Sequence, residues 1–343
     1  MDSITHIALG AIAGEILLGK TIGKKAMILG AIANSFPDID FLASLWLSPT
    51  DNLLAHRGFT HSILCAALLS LLFSWITSKW YSKEPVSFTA WLLFFSSQLM
   101  LHLFMDAFNA YGVGWFIPFS DTRISFHSIF VVDPFYSGIL GIAVLLLITL
   151  RLQQKYRTRL AVIGLLLSSG YLGHALISKY LVASEVEYLL DKQGIAYQRY
   201  FTTATPLNTW LWFVVAEVDS GYQIGYRSVF DKTEPMPFTY VPKNEKLLQL
   251  YGNDRPLARL KKFSQGYYSA EFQSDRLVFN DLRFGQITGW YNPKAKFIFH
   301  YYLNYPEDNL LVVQRGRFAN WNKEKVRSLI KRIQGYETKP RKE

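Results

Sequence analysis

The sequence predicts an α-helical polytopic membrane bundle, with four long spans and two short N-terminal apolar helices, followed by an α+β soluble domain with an antiparallel sheet. Three observations carry that expectation. Half of the 343 residues are hydrophobic and the mean hydropathy is +0.11, too apolar for an ordinary soluble chain. Charge is unevenly divided: residues 1–183 hold 12 Lys/Arg and 9 Asp/Glu, whereas residues 184–343 hold 24 and 17. Four stretches, 62–78, 88–105, 134–150 and 160–178, are almost free of charge over 17–19 residues. At about 1.5 Å per residue these reach roughly 26–29 Å, the depth of a hydrocarbon core.

Along the chain, two shorter apolar segments (4–19 and 26–36) come first, each marginal as a span. "NSFPDIDF" then reads as a helix stop, with Pro37 ending the second segment and Asp38 and Asp40 in a turn or extended piece. "HRGFTHS" (56–62) reads as a loop entering the third segment, with Gly58 at a bend and Thr60 as the N-cap. "LHLFMDAFNAYG" places His102, Asp106 and Asn109 at i, i+4 and i+7, hence on one helical face. From about Ser184 the texture changes to alternating strands. "WLWFVVAEV" and "YQIGYRSVF", separated by Asp219, Ser220 and Gly221, form a hairpin signal. "KKFSQGYYSAEF", "RLVFNDLRFG", "KFIFHYYL" and "LLVVQRGRF" continue the antiparallel sheet, and the basic stretch "NKEKVRSLIKRIQ" is a closing helix. The expected division is a membrane-embedded helical domain over 1–183, an extracytoplasmic α+β domain over 184–334 and a disordered tail over 335–343.

The side of the membrane follows from basic residues. Loops after the first, third and fifth segments carry Lys20, Lys24, Lys25, Lys79, Lys83, Arg151, Lys155, Arg157 and Arg159. The loops 37–61 and 106–133 contribute only Arg57 and Arg123, beside six aspartates. Nine against two places the basic loops in the cytoplasm and the acidic loops, with the C-terminal half, outside. His6, Asp38, Asp40, His56, His61, His102, Asp106, Asn109 and Asp133 then fall at one membrane face, that of the acidic loops.

Polar groups at such depth are costly unless paired or bound to an ion. Two histidines five residues apart, joined by carboxylates at the same level, point to one or two divalent metal ions. Zinc suits such ligands best, with manganese and iron as alternatives. Metal-bound water attacks esters, amides and phosphoesters. Arg57 and Arg123 offer contacts to an anionic group. Glu15 lies nine residues from His6, on the opposite helix face, so the general base falls to an aspartate. His127, His174 and His300 have no motif around them. The single cysteine, Cys65, excludes an intrachain disulfide. The acidic start MDSITH does not read as a removed signal peptide. A net charge of +10 suits an anionic membrane surface or substrate; nucleic acid is not expected, because no reader motif accompanies the basic residues.

The motifs "MDSITHIALGA", "PDID", "HRGFTHS", "HLFMDAFNAYG" and "VVDP" resemble those of the bacterial inner-membrane metal-dependent hydrolase family, also described as LexA-binding, inner membrane-associated hydrolases. The resemblance covers roughly residues 1–180, and "NDLRFG" is similar to longer members with an added C-terminal domain. It implies a multi-pass protein of the bacterial inner membrane. His6, Asp38, Asp40, His56, His61, His102 and Asp106 become the metal-ligand candidates. Asp133 becomes a supporting or catalytic residue, beside Arg57 and Asn109. The expected partners are the lipid bilayer and a lipid or phosphoester substrate. Two competing functions are a non-catalytic membrane regulatory or binding protein with a structural site, and a transporter. LexA binding needs a cytoplasmic face, where only short loops are expected, and no inverted repeat supports transport.

Overall fold

A computed structural model of the chain describes residues 1–232, 236–251, 255–305, 309 and 321–336. The chain forms two compact units, residues 1–46 with 55–174, and residues 47–54 with 175–343. Helices dominate the first. They are α1 (Ser3–Ile22), α2 (Lys25–Ser35), the 3-10 helix η1 (Phe36–Leu45), the short η2 (Phe59–His61), α4 (Ile63–Trp80), α5 (Phe88–Asp106), α6 (Pro134–Thr149) and the first part of α7 (Gln154–Lys192). Helix α3 (Pro49–Ala55) belongs to the second unit except for its last residue.

Among the described residues, five stretches are long and apolar enough to cross a membrane: Ser3–Ile22, Lys25–Leu45, Ile63–Trp80, Phe88–Asp106 and Gln154–Lys192. The membrane bundle with a following α+β part is therefore present, with a different division into long and short elements. The first segment is a full 20-residue helix, and the second reaches 21 residues because η1 prolongs α2. The stretch beginning at Pro134 is the short one, a 16-residue helix. α7 runs 39 residues, far past residue 178. At about 1.5 Å per residue it is roughly 58 Å long, twice a hydrocarbon core.

Close packing of α1 on α2 begins with small residues. Gly10 and Gly14 form a G-x-x-x-G pair facing Gly30 and Ala26. A Cβ built on Gly30 would stand 2.1 Å from the Gly10 carbonyl oxygen, and one on Gly14 would stand 2.1 Å from that of Ala26. The two backbones touch, which leaves room for no side chain. At the other end of the bundle a buried ion pair ties α1 to α7: Arg157 Nε and Nη2 reach the Glu15 carboxylate at 3.0 and 2.5 Å, and Gln154 adds a bond at 2.8 Å. Arg157 is thus spent inside the bundle, although the charge count had placed it in a loop.

In the second unit, β1 (Arg199–Ala204), β2 (Leu211–Val218), β3 (Gly221–Ser228) and β4 (Thr239–Pro242) form an antiparallel sheet in sequential order. The expected hairpin is β2–β3. A separate three-stranded sheet follows, β5 (Tyr268–Gln273), β6 (Arg276–Gln286) and β7 (Phe297–Tyr302), so the strands do not continue one sheet. Alternation along β2 explains its burial on both faces. Trp212, Val214 and Ala216 pack with Val182, Val186 and Leu189 of α7, while Phe213 and Val215 pack with Leu282 and Phe297 of the second sheet. Helices α8 (Glu245–Tyr251), α9 (Arg255–Phe263) and α10 (Lys323–Ile333) complete the unit. The first three residues of "KKFSQGYYSAEF", expected as strand, instead end α9, whose Leu257, Leu260 and Phe263 are buried. The strand expected at "LLVVQRGRF" lies outside the described residues, as do residues 337–343 of the expected tail.

The glycine contact yields a first prediction. Gly30→Leu should lower the melting temperature in detergent by the equivalent of about 1–3 kcal/mol of overpacking. Gly138→Ala should leave it unchanged or slightly raised, because nothing lies within 4 Å of that Cβ. Equal melting of both variants would contradict backbone contact between α1 and α2.

Candidate metal centre

Local structure brings three segments, η1, η2 and α5, to one point. Gln98, His102 and Asp106 follow at four-residue spacing on α5 and share its inward face, all fully buried. Pro37 ends α2, and the chain continues as η1, a ten-residue 3-10 helix where a turn or extended piece was expected. Three residues per turn align Pro37, Asp40 and Ala43 in one row and Asp38 with Phe41 in the next. Between α3 and η2, Arg57 takes a left-handed backbone (φ 57°), which costs on the order of 1–3 kcal/mol for a non-glycine residue. Its N–H donates to Asp40 Oδ2 at 2.9 Å and its carbonyl accepts from Gly114 N–H at 2.9 Å, fixing the strained turn from both sides. Ser62, not Thr60, caps α4. Thr60 instead donates to Asp40 Oδ2 at 2.9 Å and lies 3.0 Å from His61 Nδ1.

Asp38, His61, His102 and Asp106 each place one ligating atom within 4.8 Å of the others. His61 Nε2 is 3.0 Å from His102 Nε2, 3.3 Å from Asp106 Oδ2 and 3.5 Å from Asp38 Oδ1. His102 Nε2 is 3.6 Å from Asp106 Oδ2 and 3.7 Å from Asp38 Oδ1. A tetrahedral ion with ligands at about 2.0–2.1 Å separates its donor atoms by about 3.3–3.4 Å, within the observed spread.

Hydrogen bonding behind the cluster sets its chemistry. His102 Nδ1 lies 2.5 Å from the Asn34 carbonyl oxygen, which can only accept. The hydrogen therefore sits on Nδ1, and Nε2 turns its lone pair to the centre. His61 Nδ1 is held by Asp40 Oδ2 at 3.2 Å. Burial opposes a charge on His61, but the facing carboxylates of Asp106, Asp38 and Asp40 outweigh it and push the imidazole up to about 10. The hydrogen on His61 Nε2 faces a lone pair and two carboxylates where a cation would fit. Asp106 Oδ2 is buried there with no hydrogen-bond partner among the described residues. Arg57 Nε stands 2.9 Å from it as an ion pair, off hydrogen-bonding geometry. The donor set and this orphaned oxygen fit a divalent cation: the cluster can hold a metal ion.

The remaining candidates surround these four. His6 Nε2 is 3.1 Å from Asp106 Oδ1, which also receives the Met1 amine, and His6 Nδ1 is 3.2 Å from Asn34 Oδ1. Asp40 lies behind His61, bonding His56 Nδ1 at 2.8 Å. Asn109 lies past the end of α5 and accepts from Arg57 Nη1 at 2.7 Å. Arg123 donates to the His56 and Gly112 carbonyls at 2.8 and 3.1 Å. Asp133 caps α6 through Phe135 and Tyr136 N–H groups, both at 3.0 Å, and accepts from Tyr171 at 3.0 Å. Burial pushes its carboxyl upward. Its oxygens are thus occupied in joining α6 to α7, apart from the four-residue cluster.

Sequence reasoning missed Asn34 and Gln98. Asn34 Nδ2 donates to the Gln98 carbonyl at 2.8 Å, fixing α2 on α5 beside the two histidines it touches. The available signal was Gln98 itself, an amide four residues before His102 in an apolar helix.

A family model described as "YdjM inner membrane protein" matches residues 1–182. The chain belongs to the YdjM inner membrane protein family. Among similar proteins, the inner membrane protein YbcI of Escherichia coli (strain K12) is 34% identical over 122 residues, covering 35% of this chain and 69% of that protein. The uncharacterized protein YfhP of Bacillus subtilis (strain 168) is 32% identical over 143 residues, 39% of this chain and 42% of that protein. No solved structure matches the chain. Family membership and the apolar helices agree on an inner membrane protein.

Because Asp133 works as a cap, Asp133→Ala should cost about 1–2 kcal/mol in thermal stability while bound metal per chain stays at the wild-type value. Loss of metal at unchanged melting temperature would place Asp133 in the centre instead.

Proposed function

We propose that this inner membrane protein is a metal-dependent hydrolase acting on an ester or phosphoester close to the membrane. The observation supporting it most is the convergence of two imidazoles and two carboxylates on one point, with a buried oxygen among them, Asp106 Oδ2, that makes no hydrogen bond among the described residues. Asp38, His61, His102 and Asp106 would hold one divalent ion. Two nitrogen and two oxygen donors suit zinc, and manganese and iron accept the same set. Bound there, the ion supplies Lewis acidity and lowers the pKa of a coordinated water.

The chain's own groups do the rest. Asp40 fixes the ring of His61, as Asn34 fixes that of His102, so the donors need not reorganise. Arg57, held by Asn109, offsets part of the carboxylate charge of Asp106. His56 stands at the edge with its side chain 35% exposed and Nδ1 taken by Asp40, which leaves Nε2 to carry a proton to or from a leaving oxygen. Sequence reasoning gave that task to an aspartate; each aspartate of the centre has other partners.

Elemental analysis beside turnover of soluble ester and phosphoester substrates tests this reading. Asp38→Ala and His61→Ala should lose both metal and turnover. Asp40→Ala should weaken metal affinity about 10–100-fold, as expected of a residue that orients a ligand. Metal and turnover persisting in His61→Ala would overturn it.

A further inference from the structure

The side chains of His61, His102 and Asp106 are completely buried, whereas that of Asp38 is 17% exposed. The cluster therefore opens at η1. This edge is not polar. Phe41 stands one 3-10 turn beyond Asp38 in the same row and is 63% exposed. Ile39, Leu42 and Leu45 form the adjoining row, all exposed, and Trp46 follows at 70% exposure. Among residues 39–47 the only charged side chain is Asp40, which is turned inward. η1 is also the second half of the 21-residue stretch Lys25–Leu45, which has the length and hydropathy of a membrane span. Water does not favour such a surface around the mouth of a charged site; lipid does, and tryptophan is enriched where chain and headgroup meet.

We propose that the centre opens sideways into the bilayer along η1 and that its substrate is a membrane lipid. The lipid would present an ester or phosphoester to Asp38 and His56 while its acyl chain stays against Phe41 and Leu45. This deepens the hydrolase reading and rests on it. Hydrolysis consumes one water: its oxygen bonds to the acyl carbon or phosphorus, the lipid C–O or P–O bond breaks, and a proton passes to the leaving oxygen. The acyl chain never has to leave the membrane, because the reacting bond already sits at the depth of the headgroup.

The experiment compares dioleoyl- and dibutyryl-phosphatidylglycerol, which share every ester and phosphoester bond, as substrates of the metal-loaded full chain in mixed micelles. All released acid, phosphate and glycerol phosphate are counted. The long-chain lipid should be favoured at least about tenfold in kcat/KM, since burying even one large side chain against an acyl chain yields about 1.5–3 kcal/mol. The Phe41→Ser/Leu45→Ser double variant should bring that ratio close to one through a higher KM for the long-chain lipid. Equal turnover of both lipids by the wild type, or a ratio untouched in the double variant, would overturn lateral lipid entry and leave the hydrolase reading standing. No turnover of either lipid or of the soluble substrates, with metal bound, would remove the hydrolase reading and this inference with it.

Discussion

Uncompensated charge inside an apolar bundle is the constraint on which the first unit depends. Asp38 and Asp106 face one side of the His61 ring and Asp40 the other, among helices that present leucine, isoleucine and phenylalanine outward. Carboxylates in such surroundings need cations or donors at every lone pair. Arg57 serves two of those needs, through its backbone N–H to Asp40 and its Nε beside Asp106, while Asn109 accepts from its Nη1. The left-handed turn at Arg57 is tolerated because Asp40 and Gly114 grip it on both sides. Even so, Asp106 Oδ2 has no hydrogen bond among the described residues, and besides Arg57 its neighbours are imidazole nitrogens. A divalent ion completes such a set in a way that further protein donors cannot without crowding.

The scaffold holds this point from a distance. Contact between the backbones of α1 and α2 at Gly10, Gly14 and Gly30 sets the separation between His6 and Asn34, which touch across that interface. Asn34 then reaches α5 through Gln98 with its side chain and through His102 with its backbone carbonyl, so three helices are registered at one asparagine. The Glu15–Arg157 pair fixes the far end of α1. Without it, α1 could tilt about its glycine contact and carry His6 away from Asp106. Remote ion pairing and small-residue packing are therefore part of the same device as the four clustered side chains.

Much of the centre was legible because its residues obey simple spacing. His102 and Asp106 announce a shared face, and charge-poor runs of membrane length place "PDID", "HRGFTHS" and the end of α5 at one level. What the sequence concealed depends on three-dimensional partners. Spacing alone cannot divide Asp38 from Asp40: both belong to one motif, yet a 3-10 helix turns one toward the cluster and the other behind His61. The same geometry makes His56 a neighbour of Asp40 instead of a member of the four. Asp133 shows the opposite lesson. It shares the face and the chemistry, but its capping bonds and Tyr171 occupy it elsewhere. The continuity of α2 into η1, the length of α7 and the split of the strands into two sheets also escaped reading. Each is decided by packing against segments far away in sequence. The G-x-x-x-G pair in α1, by contrast, was present to be read.

X-ray absorption at the zinc edge of detergent-purified, zinc-reconstituted protein tests most directly whether the four side chains share one ion. A single shell of two imidazole nitrogens and two carboxylate oxygens at about 2.0–2.1 Å, with one imidazole lost in His102→Ala, is the predicted result. Well-folded protein that takes up no metal, or a bound metal whose shell contains no imidazole, would contradict the account.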